Sequence, residues 1–229
     1  MLSIFGERDG KQMPQHEVLL PQRRAELDAS WAIAVQWGRK HEWGQSNNLF
    51  WPFFDEVIRQ RLPADASAIN GPVKLRPIDP GLAWFGDPTT WKATAVIAAS
   101  QRYSGPKTAA CWFPGPQTAH AWQAFVVEKP LLRITSPWPQ GDKRPLPIFD
   151  SHQKIPIQIE TDATTPIGKI RLYDGDNFVT DGDVKNLKTT LEIGPLVPGI
   201  HTLIARADSS ENMVYLSRPV VILVNPNAN

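Results

Sequence analysis

The sequence contains little cysteine, no long apolar run and no surplus of charge, and each absence narrows the class of protein. The single cysteine, Cys111, excludes an internal disulfide, so cysteine content does not indicate the redox compartment. No run of about 18 or more apolar residues occurs, so we expect no membrane-spanning helix. The formal net charge is +1 and no basic stripe occurs, so we expect no nucleic-acid partner.

Proline and tryptophan are abundant instead. The 22 proline residues favour short elements joined by many turns over long helices. The nine tryptophan residues are well above ordinary usage, and most tryptophan side chains pack in cores, although Trp-rich surfaces also bind carbohydrates or aromatic ligands. With 41% hydrophobic residues, the 229-residue chain can bury a core in one large domain or two small ones.

The pattern of apolar and polar residues in 1–62 predicts two buried strands, each followed by a polar loop and a helix. Residues 1–5 form a short apolar run ended by glycine, and residues 31–37 are almost continuously apolar, as in a central strand of a covered sheet. The first helix is predicted to run through residues 22–28, with Pro21 in its first turn. The second begins near Phe50, with Pro52 in its first turn. This order predicts a βαβα unit with parallel strands.

The rest of the chain divides by composition. Residues 63–135 form a Trp-rich extension in which pattern alone leaves helix and strand open, and residues 136–152 form a Pro-rich linker. Residues 153–229 alternate polar and apolar side chains in short runs, which predicts an antiparallel sandwich. The predicted strands are residues 155–161, 169–173, 187–193, 201–207 and 220–224, with a hairpin turn at 174–177.

The last third of the chain resembles bacterial immunoglobulin-like modules. The likeness is carried by residues 168–175, 196–208 and 217–220. It implies an all-β immunoglobulin-like sandwich and a secreted or periplasmic location, although the sequence shows no signal peptide. Such a module predicts a fold and says little about function.

The first 60 or so residues resemble the last part of an α/β-hydrolase domain. Gly6-Glu7-Arg8-Asp9 follows the first predicted strand, and Gly38-Arg39-Lys40-His41-Glu42 follows the second. The resemblance implies a parallel α/β sheet and a Ser-His-Asp type esterase, with Asp9 as the orienting acid and His41 as the general base. It also implies that Trp43 and Trp51 line a substrate cleft and that the ligand is a small-molecule or carbohydrate ester.

The nucleophile motif of that family, Gly-x-Ser-x-Gly, is absent from this sequence. We therefore expect the isolated chain to be catalytically inactive, as a piece of a longer hydrolase or a degenerate remnant. The alternative function is a non-catalytic cell-surface module that binds a carbohydrate or a protein.

Each candidate site residue has a plainer interpretation. His41 is otherwise a surface histidine beside Glu42, and Asp9 is otherwise a turn residue before a glycine. Glu7 is a rival acid and His16 a rival base.

No metal or cofactor is predicted. The carboxylates of residues 174–177 and 181–183 could bind calcium, but hairpin turns explain them better. The histidines lack metal-ligand spacing.

Overall fold

The computed structural model describes residues 1–10, 12–64, 66, 71–92, 95–137, 146–162, 167–208 and 214–226, and the side chains of residues 12–14 are not described. Within these residues the chain forms three α-helices and fourteen β-strands. Most of the predicted linker, at residues 138–145, lies outside the described residues.

The N-terminal region has the predicted βαβα order. It consists of β1 (Leu2–Gly6), α1 (Gln12–Leu27), β2 (Ala32–Gln36) and α2 (Asn47–Arg61). β1 and β2 pair in parallel, and all five residues of β2 are buried, as a continuously apolar strand requires. The first helix begins at Gln12, so Pro21 lies inside it and not in its first turn as predicted.

The Trp-rich middle region forms a small antiparallel sheet and one helix. Its elements are β3 (Trp84–Gly86), β4 (Ile97–Ala99), β5 (Cys111–Phe113) and α3 (Pro116–Phe125). The strand order is β4-β3-β5. Asp79 and Asp87 each cap a single 3-10 turn that begins with proline, which shows how proline shortens the elements here.

The C-terminal region is a β-sandwich of two sheets. The first sheet has the order β11-β8-β6, and the second has the order β10-β9-β12-β14-β7, with β13 paired to β12. The strands are β6 (Leu132–Ser136), β7 (Ile148–Asp150), β8 (Ile155–Thr161), β9 (Lys169–Asp174), β10 (Asn177–Asp183), β11 (Lys188–Ile193), β12 (Gly199–Asp208), β13 (Val214–Leu216) and β14 (Val220–Asn225). The five predicted strands and the hairpin turn are therefore confirmed. The predicted domain limits stay a prediction.

The two cores differ in composition. Between the sandwich sheets lie alternate residues of each strand, such as Ile155, Ile157 and Ile159 of β8, which is the period-2 pattern of one buried face. The N-terminal core is built around tryptophan side chains, including Trp122, whose indole Nε1 donates to the Ile33 carbonyl at 2.7 Å. Most tryptophan residues thus pack in the core, and each buried indole N–H needs such an acceptor.

Helices α2 and α3 pack against the larger sheet of the sandwich, mainly on β12 and β14. The buried side chain of Asn48 accepts a hydrogen bond from the backbone N–H of Val221 across this contact, at 3.4 Å. The N-terminal region and the sandwich therefore share a packed interface.

The fold-class prediction is confirmed only for the sandwich. In the described part of the chain, the parallel N-terminal sheet has two strands, and the structure is predominantly β. A parallel hydrolase-like sheet is not shown.

Candidate functional site

A close backbone contact at Gly6 joins the loops that follow β1 and β2. A Cβ atom at Gly6 would lie 2.1 Å from the Lys40 carbonyl oxygen and 2.5 Å from that of Arg39, so only glycine fits there. The backbone N–H of Arg8 donates to the same Arg39 carbonyl at 2.7 Å. Because the strands are parallel, both loops leave the same edge of the sheet, and Gly6 lets them meet.

This contact brings Asp9 and His41 together, as predicted. His41 Nδ1 lies 2.7 Å from Asp9 Oδ2, and because a carboxylate only accepts, Nδ1 carries the proton. The His41 side chain is 78% exposed and the Asp9 side chain 16% exposed. In the described part of the chain His41 Nε2 has no hydrogen-bond partner. The catalytic roles of both residues stay a prediction.

The rival acid and base have other partners. Glu7 accepts a hydrogen bond from the backbone N–H of Gly38 at 2.8 Å, which ties the two loops together. His16 stacks on Phe5 with ring centroids 5.5 Å apart and meets Trp31 edge-on. Glu7 therefore shapes the loops, and His16 packs among core aromatic rings.

A buried glutamine in β2 shapes the loop that carries His41 and Trp43. Gln36 is only 5% exposed, and its Oε1 accepts the backbone N–H of Gln45 at 2.8 Å. Its Nε2 donates to Ser46 Oγ at 3.1 Å and to the Trp43 carbonyl at 3.4 Å. Sequence reasoning missed this residue. The available signal was a single amide in an otherwise apolar strand, which needs partners when buried.

Three stacked rings form an exposed aromatic ridge, defined here as Trp43, Phe50 and Phe54. The centroids of Trp43 and Phe50 are 5.4 Å apart with the rings inclined by 27°, and those of Phe50 and Phe54 are 5.8 Å apart at 16°. Trp43 Nε1 donates to Asn47 Oδ1 at 3.1 Å, which fixes the indole. Trp43 is 56% exposed, and since Phe50 covers one face, the opposite face is open to solvent.

Trp51 does not join this stack. It is exposed on α2, but successive helical residues are about 100° apart around the axis, so it projects away from Phe50. Among the described residues no ring contact involves Trp51. Its predicted role in binding stays a prediction, and the structure places only Trp43 beside the Asp9–His41 loops.

A second histidine–carboxylate pair lies between α2 and the sandwich, at a cavity of about 280 Å³ that Asp55 and Arg59 also line. His201 Nδ1 lies 2.6 Å from Asp174 Oδ2, and its Nε2 lies 2.8 Å from the Val197 carbonyl oxygen. Both partners only accept, so both contacts are hydrogen bonds only when both ring nitrogens carry a proton, and the pair therefore favours the cationic imidazole. Burial alone would lower the pKa of His201, but the hydrogen bonds to Asp174 and Val197 outweigh burial and raise it.

Of the two predicted oxygen-rich turns, residues 174–177 form the β9–β10 hairpin turn, whereas residues 181–183 lie within strand β10. Asp174 is held by the His201 ring and by the backbone N–H of Thr202 at 2.8 Å, while Asp181 pairs with Lys169. Among the residues that the structure describes, no group of three or more histidine, cysteine, aspartate or glutamate side chains could hold a metal ion. No helix within the described ranges is long and apolar enough to cross a membrane.

No family model matches the chain, and no curated protein sequence matches it. The chain is similar to a fibronectin(III)-like module of Clostridium thermocellum CbhA, at 22% identity and a TM-score of 0.37, covering 43% of this chain and 99% of the module. It is also similar to a Jonesia denitrificans lytic polysaccharide monooxygenase, at 18% identity and a TM-score of 0.30, covering 38% of this chain and 63% of that one.

A third similar structure is a Bacteroides uniformis beta-glucuronidase, at 18% identity and a TM-score of 0.32. This likeness covers 49% of the chain but only 13% of the glucuronidase. Likenesses at this level concern fold alone, and none of them assigns a ligand or a reaction to this chain.

The predicted resemblance to an α/β-hydrolase is wrong, and with it the esterase assignment. In the described part of the chain the parallel sheet has two strands, and no family model supports a hydrolase. Two parallel strands joined by a helix, with polar loops at one edge, occur in any βαβ unit. The short Gly-Glu-x-Asp loop therefore did not distinguish a hydrolase from another protein with such a unit.

Proposed function

We propose that this chain is a non-catalytic carbohydrate-binding module of an extracellular protein, and that the aromatic ridge takes the face of a sugar ring. The observation that carries this proposal is the Trp43 indole, which is fixed by Asn47 and backed by Phe50 while its other face is open. A rigid aromatic face with one solvent-exposed side suits a flat ligand with apolar C–H groups.

Polar groups near the ridge supply what a sugar needs around its edge. His41 lies two residues before Trp43, and its Nε2 is free of hydrogen bonds among the described residues. Glu42, next in the chain, is partly exposed and pairs with Arg39 at 3.7 Å. Sugar hydroxyls both donate and accept, so a histidine nitrogen and a carboxylate beside an aromatic ring match their chemistry.

Fixed geometry favours binding over a mere packing role for these rings. The loop that carries Trp43 is held by Gln36, and the ridge continues on a regular helix. A preorganised site loses less conformational entropy when it binds than a mobile one does. Contiguous exposed aromatic surface on a soluble domain is also uncommon unless it binds something.

The test is affinity electrophoresis of the full chain in gels that contain soluble plant, fungal or bacterial polysaccharides, followed by calorimetry on the best ligand. Trp43→Ala should weaken binding about 10-fold or more, since truncating a central aromatic anchor costs that much in typical interfaces. The matched control is Phe178→Ala, because Phe178 is also 56% exposed but lies on β10 of the sandwich.

Either of two results would contradict the proposal. One is the absence of retardation in every polysaccharide gel. The other is equal loss of binding in Trp43→Ala and Phe178→Ala, which would place the site away from the ridge. His41→Gln and Trp51→Ala then map the polar edge: a loss for His41→Gln alone places the ligand on the Asp9–His41 side of the ridge.

A further inference from the structure

A second cleft, of about 380 Å³, lies where the loop that carries Gln45 meets the edge of the sandwich. Its apolar side is lined by Pro130, which is partly exposed, and by Leu132, Ile134 and Val220, which are at most 6% exposed. Arg133, Glu160 and Arg218 stand at its rim. Small-molecule sites are typically clefts of about 300–1,000 Å³ with an apolar lining and a few placed polar groups, and this cleft fits that description.

Two of the three charged groups at the rim are compensated by protein partners. Arg133 pairs with Asp162 at 3.1 Å and with Glu160 at 3.6 Å. Glu160 also pairs with Lys188 at 2.7 Å. The charges of Arg133 and Glu160 are therefore largely neutralised by protein partners, and we expect neither to attract a charged ligand strongly.

Arg218 is the exception. Within the described ranges no carboxylate lies within ion-pair distance of it, and its Nε is buried without a hydrogen-bond partner. Burial lowers the pKa of Arg218, and the positive charge of Arg39 lowers it further. A guanidinium that is partly desolvated and repelled by a neighbouring cation is costly to keep unless an anion neutralises it.

We propose that the Arg218 cleft binds a small carboxylate with an apolar body. The planar guanidinium donates two parallel hydrogen bonds to the two oxygens of a carboxylate, and the apolar body lies against Pro130 on the apolar side of the cleft. Phosphate would neutralise the charge of Arg218 but would make no contact with the apolar side of the cleft. This site contains none of the residues of the aromatic ridge, so carboxylate binding here is independent of the proposed carbohydrate binding.

The experiment is calorimetry and thermal unfolding of the full chain with benzoate, phenylacetate and cyclohexanecarboxylate, and with benzyl alcohol and inorganic phosphate as comparison probes. We expect at least one carboxylate to bind at about 10 mM or below and to raise the melting temperature. Benzyl alcohol, which lacks the charge, and phosphate, which lacks the apolar body, should each bind at least about 10-fold more weakly.

Two variants place the binding at Arg218. Arg218→Gln should weaken carboxylate binding about 10-fold or more, whereas Arg133→Gln should change it by no more than about 2-fold because Arg133 is already paired. Without ligand, Arg218→Gln should melt at the same temperature as the parent chain or higher, since it removes an uncompensated cation. A purely structural arginine would instead give a lower melting temperature.

The proposal is overturned if none of the three carboxylates binds, or if benzyl alcohol or phosphate binds as well as they do. It is equally overturned if Arg133→Gln loses as much affinity as Arg218→Gln, or if the ligand-free Arg218→Gln chain melts at a clearly lower temperature. Arg218→Lys keeps the positive charge but loses the paired donors of the guanidinium. A carboxylate affinity between those of the parent chain and Arg218→Gln supports binding through two parallel hydrogen bonds.

Discussion

The carboxylate of Glu56 in α2 caps the N-terminus of α3 by accepting the backbone N–H of Thr118 at 3.0 Å and that of Gln117 at 3.3 Å. The N-cap residue of α3 is Gly115, which has no side chain to do this itself. A Cβ atom at Gly115 would lie 2.3 Å from Glu56 Oε1, so the glycine makes room for the carboxylate. Burial raises the pKa of Glu56, and the hydrogen bonds from Thr118 limit the increase.

Replacing Glu56 should therefore loosen the contact between the two helices. We expect Glu56→Ala to lower the free energy of unfolding by about 1–2 kcal/mol, the usual cost of a lost helix cap. Glu56→Gln keeps one acceptor oxygen and should lose less. Urea unfolding of the three proteins measures this, and unchanged stability in Glu56→Ala would show that the cap contributes nothing.

Gly6→Ala should separate the Asp9–His41 pair. The added methyl group would collide with the Lys40 and Arg39 carbonyl oxygens, and such overpacking costs about 1–3 kcal/mol. Imidazole chemical shifts of His41 report on the pair, and thermal unfolding reports on the strain. Gly168→Ala is the control, because nothing lies within 4 Å of a Cβ at that position. Equal behaviour of the two variants would mean that the close contact is not present in solution.

The raised pKa of His201 should make stability depend on pH. Its pKa is raised above the ordinary value of 6.5, so the folded chain binds this proton more tightly than the unfolded chain does. The stabilisation is therefore fully present below about pH 6.5 and is lost as pH rises through the folded-state pKa.

We expect the difference in melting temperature between the parent chain and His201→Gln to be larger at about pH 5.5 than at about pH 9. Groups that do not interact with His201 titrate alike in both proteins and cancel in this comparison, whereas Asp55, Arg59 and Asp174 face His201 and take part in the coupling that it measures. A difference that stays constant across this range, or grows with pH, would show that His201 is neutral in the folded chain.

Cys111 should report on unfolding through its thiol. It is fully buried in β5, where burial raises the pKa of the thiol to about 12 and so suppresses the reactive thiolate. We expect a thiol reagent at about pH 8 to label the folded chain no faster than the chain unfolds, and to label the denatured chain at once. Rapid labelling of the folded chain would place Cys111 near the surface.

The sandwich could be predicted because its signal is local. Residues 155–161 alternate polar and apolar side chains, and β8 occupies these same residues with the apolar ones facing the core. The second helix was predicted from apolar spacing and the position of Pro52, and α2 has both features. By contrast, β10 was interpreted as part of a turn-rich segment, because Asp181 and Gly182 disfavour strands except where a neighbour such as β9 supplies the pairing.

The hydrolase prediction was wrong because the features that define that family are not local in the chain. It assigned a family from two loops, whereas the family depends on how many strands the sheet has and what lies beside them. In the described part of the chain β2 has only β1 as a sheet neighbour. β5 reaches only the residue before β2, where the Trp112 N–H donates to the Trp31 carbonyl at 2.9 Å. A loop motif does not contain this information.

Period-2 alternation, proline positions and helical spacing depend on neighbours in the chain, so the sequence alone was enough to establish the sandwich and the helix at α2. The candidate sites depend on residues far apart in the chain. Glu56 meets Thr118, and Arg218 lies at the rim of the same cleft as Leu132. Whether a charge is paired or an aromatic face is open depends on such distant neighbours, and only folding brings them together.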